Sequence, residues 1–248
     1  MRILLVFFVI SCFSAHVLWP VLSGGEEVIP TSVGDAKRLN QERLNQERLN
    51  QVLFSSQDSK SNGKRRFRSP KTREAENLIE EVFSKMQQFT RTVPFNATGF
   101  RLLEEEIAHQ LMNIENFIHS HGIPIENLVK KLAFLDYVYQ QLVAAVRDLQ
   151  IYKFNGTTAE FLVYTMIDLN ARLLWMFDSS GNLDKNISQY AHKLISFGHS
   201  MNRISEDFQA LSGLSQYTKW LFTGEKRKAQ ENIEFLWDQV PKSQRNVV

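Results

Sequence analysis

The sequence predicts an all-α protein: an up-and-down bundle of five to six amphipathic helices, preceded by a signal peptide and a flexible N-terminal segment. Three observations carry this. Beyond residue 70, apolar residues recur at steps of three and four, the spacing of one helical face. Only 11 glycines and 6 prolines occur in 248 residues, too few for the many turns of an all-β fold. Capping and stop signals punctuate the periodic stretches where one helix should give way to the next.

The chain opens with MRILLVFFVISCF, a basic start and an apolar run of signal-peptide length. Cleavage after Ser23 or Gly24 is preferred to Ser14, so residues 1–23 are expected to be removed. An uncleaved anchor is the competing reading, because the apolar region can stretch to about 20 residues. The sole cysteine, Cys12, lies in this segment, so the mature chain relies on its core and not on disulfides. Val9-Ile10-Ser11-Cys12 also resembles a bacterial lipoprotein box, but the residues after Cys12 stay hydrophobic, so simple secretion ranks above it.

Residues 24–70 read as a low-complexity, basic, flexible segment. In RLNQERLNQERLNQ the leucines Leu39, Leu44 and Leu49 are five apart. Each is thus rotated by about 140° from the last and none shares a face, which rules out a coiled coil. Between Lys60 and Arg73 seven basic residues meet no acid. Within that run Arg65, Arg66 and Arg68 are the candidate processing site, with Gly63-Lys64-Arg65-Arg66 similar to the amidation-and-cleavage signal of secreted peptide precursors. A solvated tether is the simpler reading.

Residues 71–240 form the expected bundle. Ala75, Leu78, Ile79, Val82, Phe83, Met86 and Phe89 trace the first helix, up to Val93-Pro94. Phe100, Leu103, Ile107, Leu111, Ile114 and Ile118 mark the second, stopped at His121-Gly122. Pro124 is placed to open the third, along which Leu128, Leu132, Leu135, Tyr139, Leu142, Val146 and Leu149 make a coiled-coil-like seam. Thr157 with Glu160 forms a capping box for the helix Thr158 to Phe177, on which the other helices should pack. Its main face is Leu162, Thr165, Met166, Leu169, Leu173 and Met176; Phe161, Tyr164 and Trp175 suggest a second neighbour. Asp168 and Arg172, four apart in that second arc, make a candidate buried polar pair.

A fifth helix follows through Ile187, Tyr190, Leu194, Phe197, Met201, Ile204, Phe208 and Leu211, ended by Ser212-Gly213. The last helical region, Leu214 to about Val240, is expected to break near Gly224, with Leu214, Tyr217, Leu221, Ala229, Ile233, Leu236 and Val240 inward. Phe222 and Phe235 fall off that stripe. Residues 241–248 are expected to be a flexible tail.

Chemistry is harder to find. Glu106-Ile107-Ala108-His109 has the spacing of a di-iron half-site, but one copy does not make a centre, and His109 falls on the solvent side. His119 and His121 suit a helix C-terminus. His192 and His199 share a face that is not the apolar one. Without a mature cysteine, a Gly-x-Ser-x-Gly, a glycine-rich phosphate loop or a His-Glu-x-x-His, no catalytic residue, cofactor or metal site is assigned. From Ala75 onward 17 Lys+Arg stand against 20 Asp+Glu, a balance of −3 that argues against a nucleic-acid partner. Three sequons, at Asn96, Asn155 and Asn186, are candidate glycosylation sites.

The expected function is a secreted, glycosylated, non-enzymatic bundle that binds either an apolar ligand such as a lipid or an extracellular protein, with no stable membrane span after signal cleavage. The alternative is a precursor or effector whose 24–68 leader is removed at the basic cluster. Arg65-Arg66-Phe67-Arg68 is similar to the Arg-x-Leu-Arg leader motif of oomycete host-targeted effectors, a resemblance that implies a delivered, cysteine-poor helical domain. Phe67 stands where that motif has Leu, and Arg73-Glu74-Ala75-Glu76 stands where its acidic Glu-Glu-Arg element should follow.

Overall fold

The computed structural model describes residues 69–124, 128–151 and 157–245. All belong to the second of two compact units, Asn45–Val248. The expected signal peptide, the segment 24–68 with Arg65, Arg66 and Arg68, and Asn155 lie outside the described residues.

The described chain is helical, and no strand occurs among its residues. Helix α1 is Pro70–Thr90, α2 Ala97–Ser120 and α3 Val129–Ile151. Then come α4, Thr158–Leu173, a 3-10 turn, Leu174–Met176, α5, Tyr190–Gln209, and α6, Gln216–Asp238. A short α7, Lys242–Arg245, closes the chain. Most starts have a local cause. The Ser69 hydroxyl accepts from Thr72 N, with Pro70 in the first turn, Asn96 caps α2 through Gly99 N, and Ser215 caps α6 through Thr218 N. Thr157 and Glu160 make the reciprocal capping box that the sequence announces. Gly122 and Gly213, at φ +58° and +72°, turn the chain after α2 and α5 in a conformation costly to other residues.

The helices form two triads. Lys71 lies over Phe117, Phe89 meets Phe100, and Lys85 pairs with Glu106, so α1 and α2 are antiparallel. The pairs Glu80–Lys131 and Phe83–Phe134 advance together, so α3 runs parallel to α1. In the second triad Arg172 lies over Phe197 and Lys193 over Trp175, setting α5 antiparallel to α4. Asn170 meets Glu225 and Phe177 stacks on Phe235, which makes α6 parallel to α4. Helix α4 packs on α3, α5 and α6 and touches α1, so it occupies the central position expected of it.

Its burial, however, differs from the expected second arc. Leu162, Met166, Leu169, Leu173 and Met176 are buried as expected, but the second buried arc is Val163, Ile167, Ala171 and Leu174. Phe161 is exposed, and Tyr164 and Trp175 are only partly covered. Small and branched side chains let α3 and α6 approach closely there, whereas the rings occupy the rim.

The connection after α4 locks the triads together. Phe177 sits between Phe134 of α3, with ring centroids 5.3 Å apart, and Phe235 of α6, at 6.3 Å. Gln87 of α1 donates to the Phe177 carbonyl at 2.7 Å, Ser179 hydrogen-bonds Glu80, and Leu183 N donates to Gln239 Oε1 at 2.9 Å. The Asp178 carboxylate accepts from Ser180 N and Asn182 N, and Phe177 and Leu183 form an isolated antiparallel bridge. A polar sequence, DSSGNLDKN, thus builds a part-buried keystone.

Other expectations shift as well. Helix α3 starts at Val129, not at Pro124, and buries Phe134, Val138 and Ala145 beside the expected seam. Helix α6 runs unbroken through Gly224; one helical glycine costs about 1 kcal/mol, which the packing on both sides exceeds. Because the helix continues, its buried arc is Phe222, Glu225, Ala229 and Leu236. Tyr217 lies about 140° from Phe222 and is exposed. At the C-terminus, Arg245 of α7 donates to the carbonyls of Val240 and Asp238, at 2.9 and 2.7 Å, and so satisfies the end of α6.

Candidate functional site

Two polar arrangements are built into the core, and each has a structural task. Asp168 is 5% exposed. One carboxylate oxygen accepts from Phe95 N at 2.6 Å and the other from Arg172 Nε at 2.8 Å. The guanidinium lies over the Phe197 ring. The pair expected from the four-residue spacing is therefore present, but its larger role, holding the α1–α2 turn onto α4, needed a partner 73 residues away. Burial, and then the Asp168 charge, raises the Tyr164 hydroxyl pKa above its ordinary value.

The second arrangement joins α4 and α6. Asn170 Nδ2 donates to the backbone carbonyl and the carboxylate of Glu225, both at 2.8 Å, and Lys228 pairs with the same carboxylate at 2.8 Å. Glu225 had no place on the expected stripe, because an acid is not read as core from periodicity. The narrow cleft beside it is lined by Tyr137, Gln141 and Asp148 of α3 together with Ile167, Asn170 and Lys228. Its volume of about 20 Å³ accommodates a single water and no lipid chain.

The candidate surface sites take different positions. Asn96 and Asn186 are both exposed. Asn96 Oδ1 is engaged as the α2 cap, at 2.9 Å from Gly99 N, while its amide nitrogen, the atom a glycan takes, is not needed for that bond. Asn186 lies in the turn before α5, where its backbone N–H donates to Asp184. His109, His192 and His199 are exposed, and His121 Nδ1 lies 2.9 Å from the Phe117 carbonyl at the end of α2. Among the described residues no group of three His, Cys, Asp or Glu is placed to hold a metal ion.

The seam between α2 and α3 carries acids. Burial, and then the Asp136 charge, raises the Glu115 pKa above the usual carboxylate value. Burial also raises Glu104, with Arg101 opposing and Glu105 adding to the shift. Tyr139 is raised by burial and by the charges of Glu104 and Asp136.

Large apolar side chains remain on the surface. Phe161, Tyr217 and Trp220 are 44%, 42% and 41% exposed, with Val93, Leu102 and Met112 more so. Tyr217 and Trp220 form a tilted pair with centroids 6.0 Å apart. The parallel run of α4 and α6 puts Phe161 at the same end of the molecule as this pair. By contrast Phe222 is buried and stacked on Phe208 at 3.7 Å, so the ring that missed the expected stripe is core and the ring expected to be core, Tyr217, is not.

In comparison with known proteins, no family model, no curated protein and no solved structure matches the chain. No helix among the described residues is long and apolar enough to cross a membrane.

Proposed function

We propose that the chain is a secreted, glycosylated binding protein that works through the outer surface of its helical bundle and not through catalysis. The observation that carries this reading is the division of its rings. Phe83, Phe100, Phe134, Phe177 and Phe222 close the interior, while Tyr217, Trp220 and Phe161 are left outside. Of the two ligand classes the sequence admits, the apolar guest loses ground, because the cleft between α3, α4 and α6 is of single-water size and the larger groove along α5, about 390 Å³, is lined mainly by the polar side chains of His192, Ser196, His199, Ser200 and Arg203. An external partner gains it, since the rings left outside lie where a contact from beyond the bundle reaches them. The apolar leader favours secretion, and the exposure of Asn96 and Asn186 favours glycan attachment.

Native mass spectrometry of the chain recovered from a eukaryotic secretory host tests both parts. The expected result is a chain beginning near Gly24, carrying glycan at Asn96 or Asn186 and no lipid. A bound lipid would contradict the surface reading, and an unglycosylated chain retained in the cell would contradict secretion.

A second reading, removal of the leader, is favoured by one detail. Ser69, the cap of α1, directly follows Arg68, so cleavage at that arginine leaves every described helix and its cap intact. In the same spectrum, a chain starting at Ser69 supports processing.

A further inference from the structure

The outer face of the first three turns of α6 combines aromatic rings with cations of one sign, and we infer that it is a docking site for an anionic lipid surface. Gln216, Trp220, Thr223 and Arg227 follow steps of four and three along one side of the helix, about 180° from the buried Ala229. Tyr217 flanks that line on one side, Lys219 and Lys226 on the other. From Gln216 to Gln230 the chain has four basic residues and a single acid, Glu225. That acid is buried and held by Lys228 and Asn170, and one turn on the exposed Glu231 pairs with Arg227 at 3.8 Å, so the positive charge of the face rests mainly on Lys219 and Lys226, although the chain from Ala75 onward sums to −3. At physiological salt the field beyond about 8 Å is screened, and the local face decides what approaches.

Three features favour lipid over an acidic protein. Trp and Tyr beside Lys and Arg are the side chains that settle at the boundary between headgroups and acyl chains. The face is convex, a single helix with two projecting rings. Protein hot spots sit in desolvated pockets, and neither the cleft between α3, α4 and α6 nor the groove along α5 between His192 and Arg203 includes Tyr217 or Trp220. Lys219 and Lys226, with Arg227 partly neutralised by Glu231, also match the strength expected of a reversible peripheral contact, each lysine contributing about fivefold in affinity for an anionic leaflet. The contact is peripheral, since no described helix is apolar enough to span.

The test uses the chain recovered from the secretory host, free of its apolar leader. Binding to vesicles of phosphatidylcholine alone is compared with binding to phosphatidylcholine in which about one lipid in three is phosphatidylserine, by co-sedimentation and tryptophan emission. The expected result is at least tenfold tighter binding to the anionic vesicles, with a blue shift that Trp220→Ser abolishes. Lys219→Glu with Arg227→Glu should remove the anionic preference. All three positions are exposed, and unchanged helical circular dichroism checks the fold. Binding to neither vesicle overturns the inference and leaves an acidic protein as the occupant to seek. Anionic binding that both variants leave unchanged also overturns it, because the contact then belongs to the basic stretch Lys60–Arg73.

Discussion

Removing the Asp168 carboxylate should be the most damaging single polar change in the bundle. In Asp168→Ala the Phe95 N–H, buried with its residue at 4% exposure, loses its acceptor at 2.6 Å. An orphaned buried donor costs about 1–3 kcal/mol. Arg172 loses its partner too, but its side chain is 20% exposed and still lies over Phe197, so it can turn to water at a cost nearer 1 kcal/mol than the 3–5 of a fully buried pair. The expected sum is about 3 kcal/mol, a fall in midpoint of roughly 6–12 °C for a domain of this size. Asp168→Asn keeps an acceptor for Phe95 but turns an amide donor toward the guanidinium, for about 1–2 kcal/mol. Arg172→Ala leaves the Phe95 bond in place but strips the 5%-exposed carboxylate of its cation, and should cost about 1–3 kcal/mol. Urea unfolding followed at 222 nm measures all three. The reasoning is refuted if Asp168→Asn destabilises as much as Asp168→Ala, because an acceptor for Phe95 would then contribute nothing.

Other outcomes follow from the same packing. Phe222→Ala should cost about 3–5 kcal/mol by emptying the stack on Phe208, whereas Trp220→Ala should change stability by less than about 0.5 kcal/mol; chemical denaturation distinguishes them. Gly224→Ala should stabilise by about 0.5–1 kcal/mol, since a Cβ there meets nothing within 4 Å; a lower midpoint would contradict that. Glu115 and Glu104 bind protons more readily folded than unfolded, so their penalty is present above their raised pKa values and vanishes as pH falls toward the ordinary carboxylate range. Asp136→Asn should therefore bring Glu115 back toward its usual pKa and flatten this part of the stability profile, read by NMR titration of the Glu115 side chain. In Asp168→Asn the Tyr164 hydroxyl should titrate at lower pH than in the parent, visible in the ultraviolet phenolate band.

Much of the fold was legible because its determinants are local. The buried stripes of α1, α2 and α5 follow the 3.6-residue period, and the Thr157–Glu160 box and the turn at Gly122 are set within a few residues. What escaped needed information from distant residues. Glu225 is core only because Asn170 and Lys228 meet it, and the polar loop after α4 is buried only because Gln87, Glu80 and Gln239 answer its backbone and hydroxyl groups. Gly224 misled by inviting a break, and that one misplaced break rotated the assumed face of α6, hiding Phe222 from the core and putting Tyr217 into it. The Asp168–Arg172 pair was readable at i,i+4; the hold on Phe95 was not. For the surface on α6 the usable signal was an aromatic pair in an acid-poor run, but its outward direction depends on the helix being continuous.

The loop that fastens one half of the molecule to the other restricts how the protein can be dissected. Phe177, gripped from α3 and α6 with its carbonyl taken by α1, ties the stability of each half to the other, so neither trio of helices should survive as a minimal fragment. Exchange of amide protons should accordingly slow to one common limit across both halves, and a circular permutant cut within 178–182 should lose that shared limit before it loses helix.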